Sequence, residues 1–231
     1  MKTRKTRGSV RLVHGRHVIS ELPVRPGPTH SVFDVLAAAL AALSGGDEVT
    51  LLGFAAGGMI APLRALGRDD RVHGIDLDLT GARLFQRHAR AWAGDVSVTR
   101  TDAVDFMRRQ RRRQPCIVED LSMQLEDGDV QKPDVSFDVL PKLIARKLSA
   151  RGLAVFNLLP SPSRNWIAIE RSVGAPFPEV RVVLLDEFEN RVLLAARNLP
   201  EPASLQVQLD AVLELIGSRM TGTLQVRDRR T

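Results

Sequence analysis

Tyrosine is absent from this 231-residue chain, and aromatic residues make up only 4% of it. That leaves little material for the stacking platforms on which single-stranded nucleic acids lie. The one cysteine, Cys116, excludes an intrachain disulfide and fits a reducing compartment, so a cytoplasmic location is expected. No apolar run reaches the roughly 18 residues that a membrane span needs. The basic start, MKTRKTRGSVRLVHG, has no apolar block behind it, so no secretory signal is expected. His14, His17, His30, His73 and His88 lack metal-ligand spacing, and Cys116 has no cysteine partner. No metal is expected, and the histidines read as structural, with His30 the one to examine.

Positive charge is plentiful, at a net +6. It gathers in Lys2, Arg4, Lys5 and Arg7, in the block Arg108, Arg109, Arg111, Arg112, Arg113, and in Arg227, Arg229, Arg230. A frayed tail and the solvated end of a helix account for such runs, and nucleic acid is the minor alternative. Hydrophobic residues at 44% and charged residues at 26% are a normal globular mix, in a chain long enough for one large α/β core.

Along the chain, residues 11–22 read as a β-hairpin around His14, Gly15 and Arg16, and residues 23–28 as a Pro/Gly linker. Ser31 can cap the helix VFDVLAAALAAL, which Gly45 and Gly46 end. Strands at 49–53, 72–77, 96–100, 116–121 and 153–158 then alternate with helices at 58–66, 79–92, 103–112 and 137–149. Alternation of this kind predicts a parallel sheet covered on both faces. A helix at 163–173, two strands at 180–186 and 191–196 joined by 187–190, and a helix at 200–220 follow. The division expected is a basic tail, hairpin and linker (1–30), an α/β nucleoside-binding domain (31–220) and a polar tail (221–231).

Residues 48–78, EVTLLGFAAGGMIAPLRALGRDDRVHGIDLD, are the most informative stretch. A buried strand meets a small-residue turn, a helix follows, and the next strand ends in acids. The acid sits about 20 residues past the turn, where nucleoside-binding α/β units hold ribose hydroxyls. Four candidate sites therefore gather at the carboxyl ends of the strands. The first is the turn, with Gly53, Ala55, Gly57 and Gly58, where small side chains let backbone N–H groups approach a ligand. The second is Asp76 with Leu77, while Asp78 reads as the cap of the next helix. The third, Asp102 and Ala103, offers an acceptor for an adenine amine or a helix cap. The fourth is the end of CIVEDLS, where Glu119 and Asp120 close an apolar strand and need a solvated cleft.

The order of hairpin, helix, LLGFAAGGMIAPLRAL, VHGIDLD, VTRTDAVDFMRR, CIVEDLS and FDVLPKLIARKLSARGLAVFNLL resembles the spermidine synthase (polyamine aminopropyltransferase) family over residues 11–159. The resemblance implies a Rossmann-like class I methyltransferase fold, with a mostly parallel seven-stranded sheet, a C-terminal antiparallel hairpin and a small N-terminal β-hairpin. It also implies a homodimer that binds decarboxylated S-adenosylmethionine and transfers its aminopropyl group to a diamine. On this pattern Asp76 holds ribose, Asp102 and Ala103 contact adenine, and Gly53, Gly57 and Gly58 form the glycine turn, with Ala56 where the family has an acid. Asp120 matches the first of two acids at the family's strand end and is the catalytic candidate, while Met123 stands at the second. His30, Asp34 and Glu119 are the acceptor-binding candidates, with Val32, Phe33 and Asp34 where the family has Tyr-His-Glu.

Three functions follow as alternatives. The first is a spermidine-synthase-like transferase, with S-adenosylmethionine, its decarboxylated form or methylthioadenosine as nucleoside ligand and a small, amine-type acceptor. The second is an S-adenosylmethionine-dependent methyltransferase, and the third a non-catalytic nucleoside-binding or regulatory homologue. Met123 and the missing tyrosine predict weak or no activity with putrescine, with Glu119, Glu126 and Asp127 as substitute acids. By strand alternation Glu119 should face a covering helix or its solvated edge, opposite to Asp120. Residues 124–133 are a candidate lid.

Overall fold

The computed structural model describes residues 2–15, 17–125 and 128–229. The N-terminal segment is a three-stranded antiparallel sheet of β1 (Lys2–Lys5), β2 (Ser9–His14) and β3 (His17–Pro23). The expected hairpin is present, but β1 corrects the reading of residues 2–5 as a plain tail: Lys2 pairs with Val13 and Lys5 with Val10. β1 is exposed throughout, so backbone pairing holds it and no apolar pattern announced it. Arg16, expected in the turn, lies outside the described residues.

Helix α1 (Val32–Leu43) begins where the Ser31 side chain accepts the Phe33 N–H, and ends with Ser44 N–H on Leu40 O. Its alanines let it lie close against the helix and strands around it. The alternating units follow: β4 (Glu48–Leu52), α2 (Ile60–Ala65), β5 (Arg71–Asp76), α3 (Thr80–Ala89), β6 (Val96–Arg100), α4 (Ala103–Arg109) and β7 (Gln114–Glu119). A small ribbon, β8 (Met123–Gln124) with β9 (Val130–Gln131), leads to α5 (Val135–Asp138) and α6 (Leu140–Lys147). Next come β10 (Leu148–Leu158), α7 (Trp166–Gly174), β11 (Glu179–Leu185), β12 (Arg191–Ala196), α8 (Pro202–Leu215) and β13 (Leu224–Asp228).

The main sheet has eight strands, in the order β13-β11-β12-β10-β7-β4-β5-β6. Its pairs from β10 through β7, β4 and β5 to β6 are parallel, and those from β10 through β12 and β11 to β13 are antiparallel. The eighth strand corrects the expectation of seven, because β13 comes from the segment read as a polar tail. Its period-two pattern, with Leu224 and Val226 buried, is short and broken by charge. Fully buried Glu170 holds it by accepting from Arg227 Nη2 at 2.7 Å and Nη1 at 3.0 Å. The last helix also stops at Leu215 rather than near 220, and Gly217 takes the left-handed conformation, φ 64°, that ends helices.

Side chains alternate between two cores. Val49, Leu51, Val118 and Val155 pack on the face of α1, α3 and α8. Leu52, Ile117, Ala154 and Phe156 pack on the face of α4, α6 and α7. Chain order reverses between β4 and β7: β4 leads outward to β5 and β6, β7 the other way to β10. A ligand crevice is expected outside the carboxyl ends of the strands at such a switch point. No described helix is long and apolar enough to cross a membrane.

Candidate functional site

Gly53 and Asp120 flank the switch point. Asp120 N–H extends the β7–β4 ladder to Leu52 O at 2.8 Å, and Gly53 N–H donates to Ile75 O at 2.8 Å. Gly53 has φ 88°, and a Cβ there would stand 2.5 Å from Asp120 O, so only glycine lets the two strand ends approach. Ala55 also takes a positive φ, 46°, and its N–H donates to Asp76 Oδ2 at 2.7 Å. Asp78 N–H donates to Asp76 Oδ1 at 3.0 Å. Asp76 thus steadies the turn, and each carboxylate oxygen keeps acceptor capacity for a ligand hydroxyl. Leu77 beside it is 64% exposed, an apolar platform at the strand end.

Asp78 does cap α3, accepting from Thr80 N–H at 2.8 Å and Thr80 Oγ1 at 2.7 Å, bonds that hold its carboxyl below the usual range. Asp102 caps α4 through Asp105 N–H at 3.0 Å, so the cap reading of that residue is realised, with one carboxylate oxygen left over. Ala103 is buried against the core. Gly57 serves the packing of the turn. At φ 68°, its missing side chain makes room for the Phe54 and Phe85 rings, each 2.9 Å from where a Cβ would be.

Past the end of β7 opens a cleft of about 790 Å³, lined by Glu21, His30, Phe33, Asp120, Asn157 and Glu189, among others; of the candidate residues it gathers Asp120 and His30, while residues 53–58, Asp76, Leu77, Asp102 and Ala103 are not in its lining. Asp120 points into it, as expected. Asn157 Nδ2 donates to Asp120 Oδ1 at 2.7 Å, and Asn190 Nδ2 donates to Asn157 Oδ1 at 2.8 Å. This relay fixes the carboxylate from behind. Crowding by protein atoms desolvates it and pushes its pKa up to about 6, against the opposing pull of the Lys132 charge and the Asn157 hydrogen bond. The charges of Glu119 and Asp76 add to the rise.

Two acceptor-binding candidates are corrected. Asp34 is fully buried and accepts from Thr29 N–H and Oγ1, both at 2.7 Å, from His30 N–H at 2.9 Å and from Ser218 Oγ at 2.6 Å. Its carboxylate is saturated, and it shapes the bend at His30, whose φ is 57°. Glu119 is also fully buried, bonded to Lys132 Nζ at 2.8 Å and 2.9 Å and to Ser136 Oγ at 2.8 Å. It faces α5, as alternation along β7 predicted, and cannot meet a ligand in the cleft. His30 does line the cleft; its Nδ1 accepts Arg219 N–H at 3.3 Å.

Leu125, Asp129, Val130 and Gln131, from the stretch read as a lid, line the cleft. His14 Nε2 meets Leu125 O at 2.9 Å and His17 Nε2 meets Asp129 Oδ1 at 3.1 Å, tying the stretch to the N-terminal sheet. Glu126 and Asp127 lie outside the described residues. Met123 is exposed on β8. Sequence reasoning missed Asn157, Asn190, Glu21, Glu187 and Glu189 as cleft residues. Asn157 left one signal, a polar side chain within the apolar run AVFNLL. The others arrive only by folding.

A parallel sheet with its switch point between β4 and β7, a glycine turn after β4, an acid ending β5 and an antiparallel C-terminal edge define the class I methyltransferase fold, which spermidine synthases share. Solved structures bear this out. A probable spermidine synthase from Corynebacterium glutamicum aligns with a TM-score of 0.65 at 16% identity, over 99% of this chain and 90% of its own. Human methyltransferase-like protein 13, in complex with SAH, aligns with a TM-score of 0.61 at 16% identity, over 80% of this chain and 91% of its own. A spermidine synthase in complex with the transition-state analogue AdoDATO gives 0.60 at 10% identity, over 89% of this chain and 78% of its own. No protein-family model matches the sequence, and neither does any curated protein.

Proposed function

We propose that this protein is a transferase that binds S-adenosylmethionine or its decarboxylated form beside the β4 turn and serves a cationic amine acceptor in the cleft. The carrying observation is Asp120: a carboxylate at the sheet's switch point, facing the cleft, held by Asn157, with a pKa of about 6. The chain's residues fit the nucleoside. Asp76 keeps acceptor capacity for ribose, Leu77 offers an apolar surface for a base, Asp102 retains an oxygen for an amine, and Gly53 lets the turn pack closely against Asp120. When bound, such a cofactor supplies an electrophilic carbon beside a sulfonium sulfur.

At pH 7 a carboxyl of this pKa is about nine-tenths ionised. Asp120 can therefore attract an ammonium group and accept a proton from the attacking nitrogen, within the range where proton transfer assists. Glu21, Asp129, Glu187 and Glu189 add negative charge around the cleft, which Arg11, bridged to Glu21, offsets in part. That balance suits a cation. Methyl transfer is the second reading, favoured by Met123 in place of a second acid, because alignment governs methyl transfer more than proton handling.

Titration calorimetry with S-adenosylmethionine, its decarboxylated form and methylthioadenosine tests the proposal. Preference for the decarboxylated nucleoside supports aminopropyl transfer, and preference for the carboxylated one supports methyl transfer. No binding of any of the three would overturn the proposal and leave a non-catalytic homologue.

A further inference from the structure

We propose that the rim of the sheet opposite the cleft is a docking face for the phosphate backbone of double-stranded nucleic acid. The rim lies at the amino ends of β7 and β10, where α4 and α6 end. Lys147 Nζ donates to Gln110 O at 2.6 Å, and Arg113 Nη1 donates to Arg146 O at 3.1 Å and Leu148 O at 2.9 Å. These bonds join segments 110–113 and 146–151 into one surface. It presents Arg108, Arg109, Arg111, Arg112, Arg146 and Arg151, all exposed.

Carboxylates nearly vanish there. Asp105 stands 3.4 Å from Arg109 and 4.0 Å from Arg108; among the described residues the other four arginines have no ion pair. Arg113 and Lys147 donate to neutral carbonyls, which leaves their charge uncompensated. The neighbouring part of the same rim is different: Arg71 bridges Glu48 at 2.8 Å and Asp95 at 3.2 Å, and Arg68 holds Asp70 at 2.6 Å. Cations in the last turn of a helix are accounted for by its dipole. That explanation covers Arg108, Arg109 and Arg146 but not Arg111, Arg112 or Arg151, which lie beyond the helix ends.

The composition of the rim selects the partner. Guanidinium forks match phosphate oxygens. The large exposed apolar residues, Val18, Val24, Leu77, Met123, Ile167, Val207 and Leu215, all lie in other segments, so the rim has no anchor for a bilayer. It also carries no aromatic side chain on which single-stranded bases could stack. A duplex backbone needs neither.

Fluorescence anisotropy of the full chain with a labelled duplex of mixed sequence tests this between 50 and 200 mM salt. Neutralising about five phosphates gives a slope of log affinity against log salt of about −4.5. Arg111→Gln, Arg112→Gln and Arg151→Gln together should bring it to about −2, with the melting temperature unchanged. Absence of binding at the lowest salt would overturn the proposal. So would a slope unchanged in the triple variant, which would move the contact to the N-terminal basic strand. Displacement of the duplex by poly-glutamate at equal charge would assign the rim to acidic proteins and overturn it equally.

Discussion

Replacing Asp120 by asparagine tests both the placement of this carboxylate and its cost to the fold. The variant keeps an Oδ1 acceptor for Asn157 Nδ2 and loses only the charge. In the unfolded chain an aspartate titrates near its ordinary value of 3.8, whereas in the folded protein its pKa is about 6. Because the folded pKa is raised, the native state holds the proton more tightly, so the carboxylate destabilises the fold as pH rises. The effect is absent below the unfolded value and complete above the folded one. Linkage puts the full effect at about 3 kcal/mol, an upper figure because the cleft admits water. Between pH 5 and pH 8 the stability advantage of the variant should grow by about 1.4 kcal/mol. Urea unfolding of both proteins at those two pH values measures it, and comparing them cancels the other titrating groups. Loss of an assisting base should lower transfer by about 10²–10⁴-fold. An advantage that does not change with pH, or a variant less stable at pH 8, would refute the desolvated placement of the carboxylate.

The other expectations test the turn, the buried pair and the acceptor. Asp76→Ala should abolish nucleoside binding by calorimetry and cost about 1 kcal/mol or more, because Ala55 N–H and Asp78 N–H lose their acceptors; Asp76→Asn restores one of the two acceptors and should recover part of that stability without the binding. Glu119→Gln leaves Lys132 buried without a counter-charge and should cost about 3–5 kcal/mol in denaturant unfolding, whatever it does to activity. Gly53→Ala forces a Cβ toward Asp120 O at a positive φ and should lower the melting temperature, with a penalty of at least about 2 kcal/mol. Putrescine should be a poor acceptor, and turnover of about 1 per second or more in a product assay would show that cleft acids such as Glu187 and Glu189 replace the one missing at Met123.

Local pattern alone determined the framework. The alternation of apolar strands with amphipathic helices between residues 49 and 158, the break at Gly53, and Asp76 and Asp120 at strand ends are short-range features. Strand alternation also placed Glu119 and Asp120 on opposite faces of β7, since successive side chains must diverge there. Which carboxylates are enclosed was decided only by folding. Asp34 and Glu119 read as ligand acids because sequence shows charge but not enclosure. Ser218 lies 184 residues from Asp34, and Lys132 lies 13 residues from Glu119 across a loop. Gly57 looked like an open turn until Phe85 came to rest against it. Strand β13 has too few apolar positions to declare itself, and it forms because β11 offers an unpaired edge and Glu170 two oxygens for Arg227. The acidic cleft is tertiary in the same sense. Periodicity reports which face of an element is buried, but the partner across a gap of 33 or 37 residues, as with Asn190 and Asp120 on Asn157, is chosen by how the sheet closes.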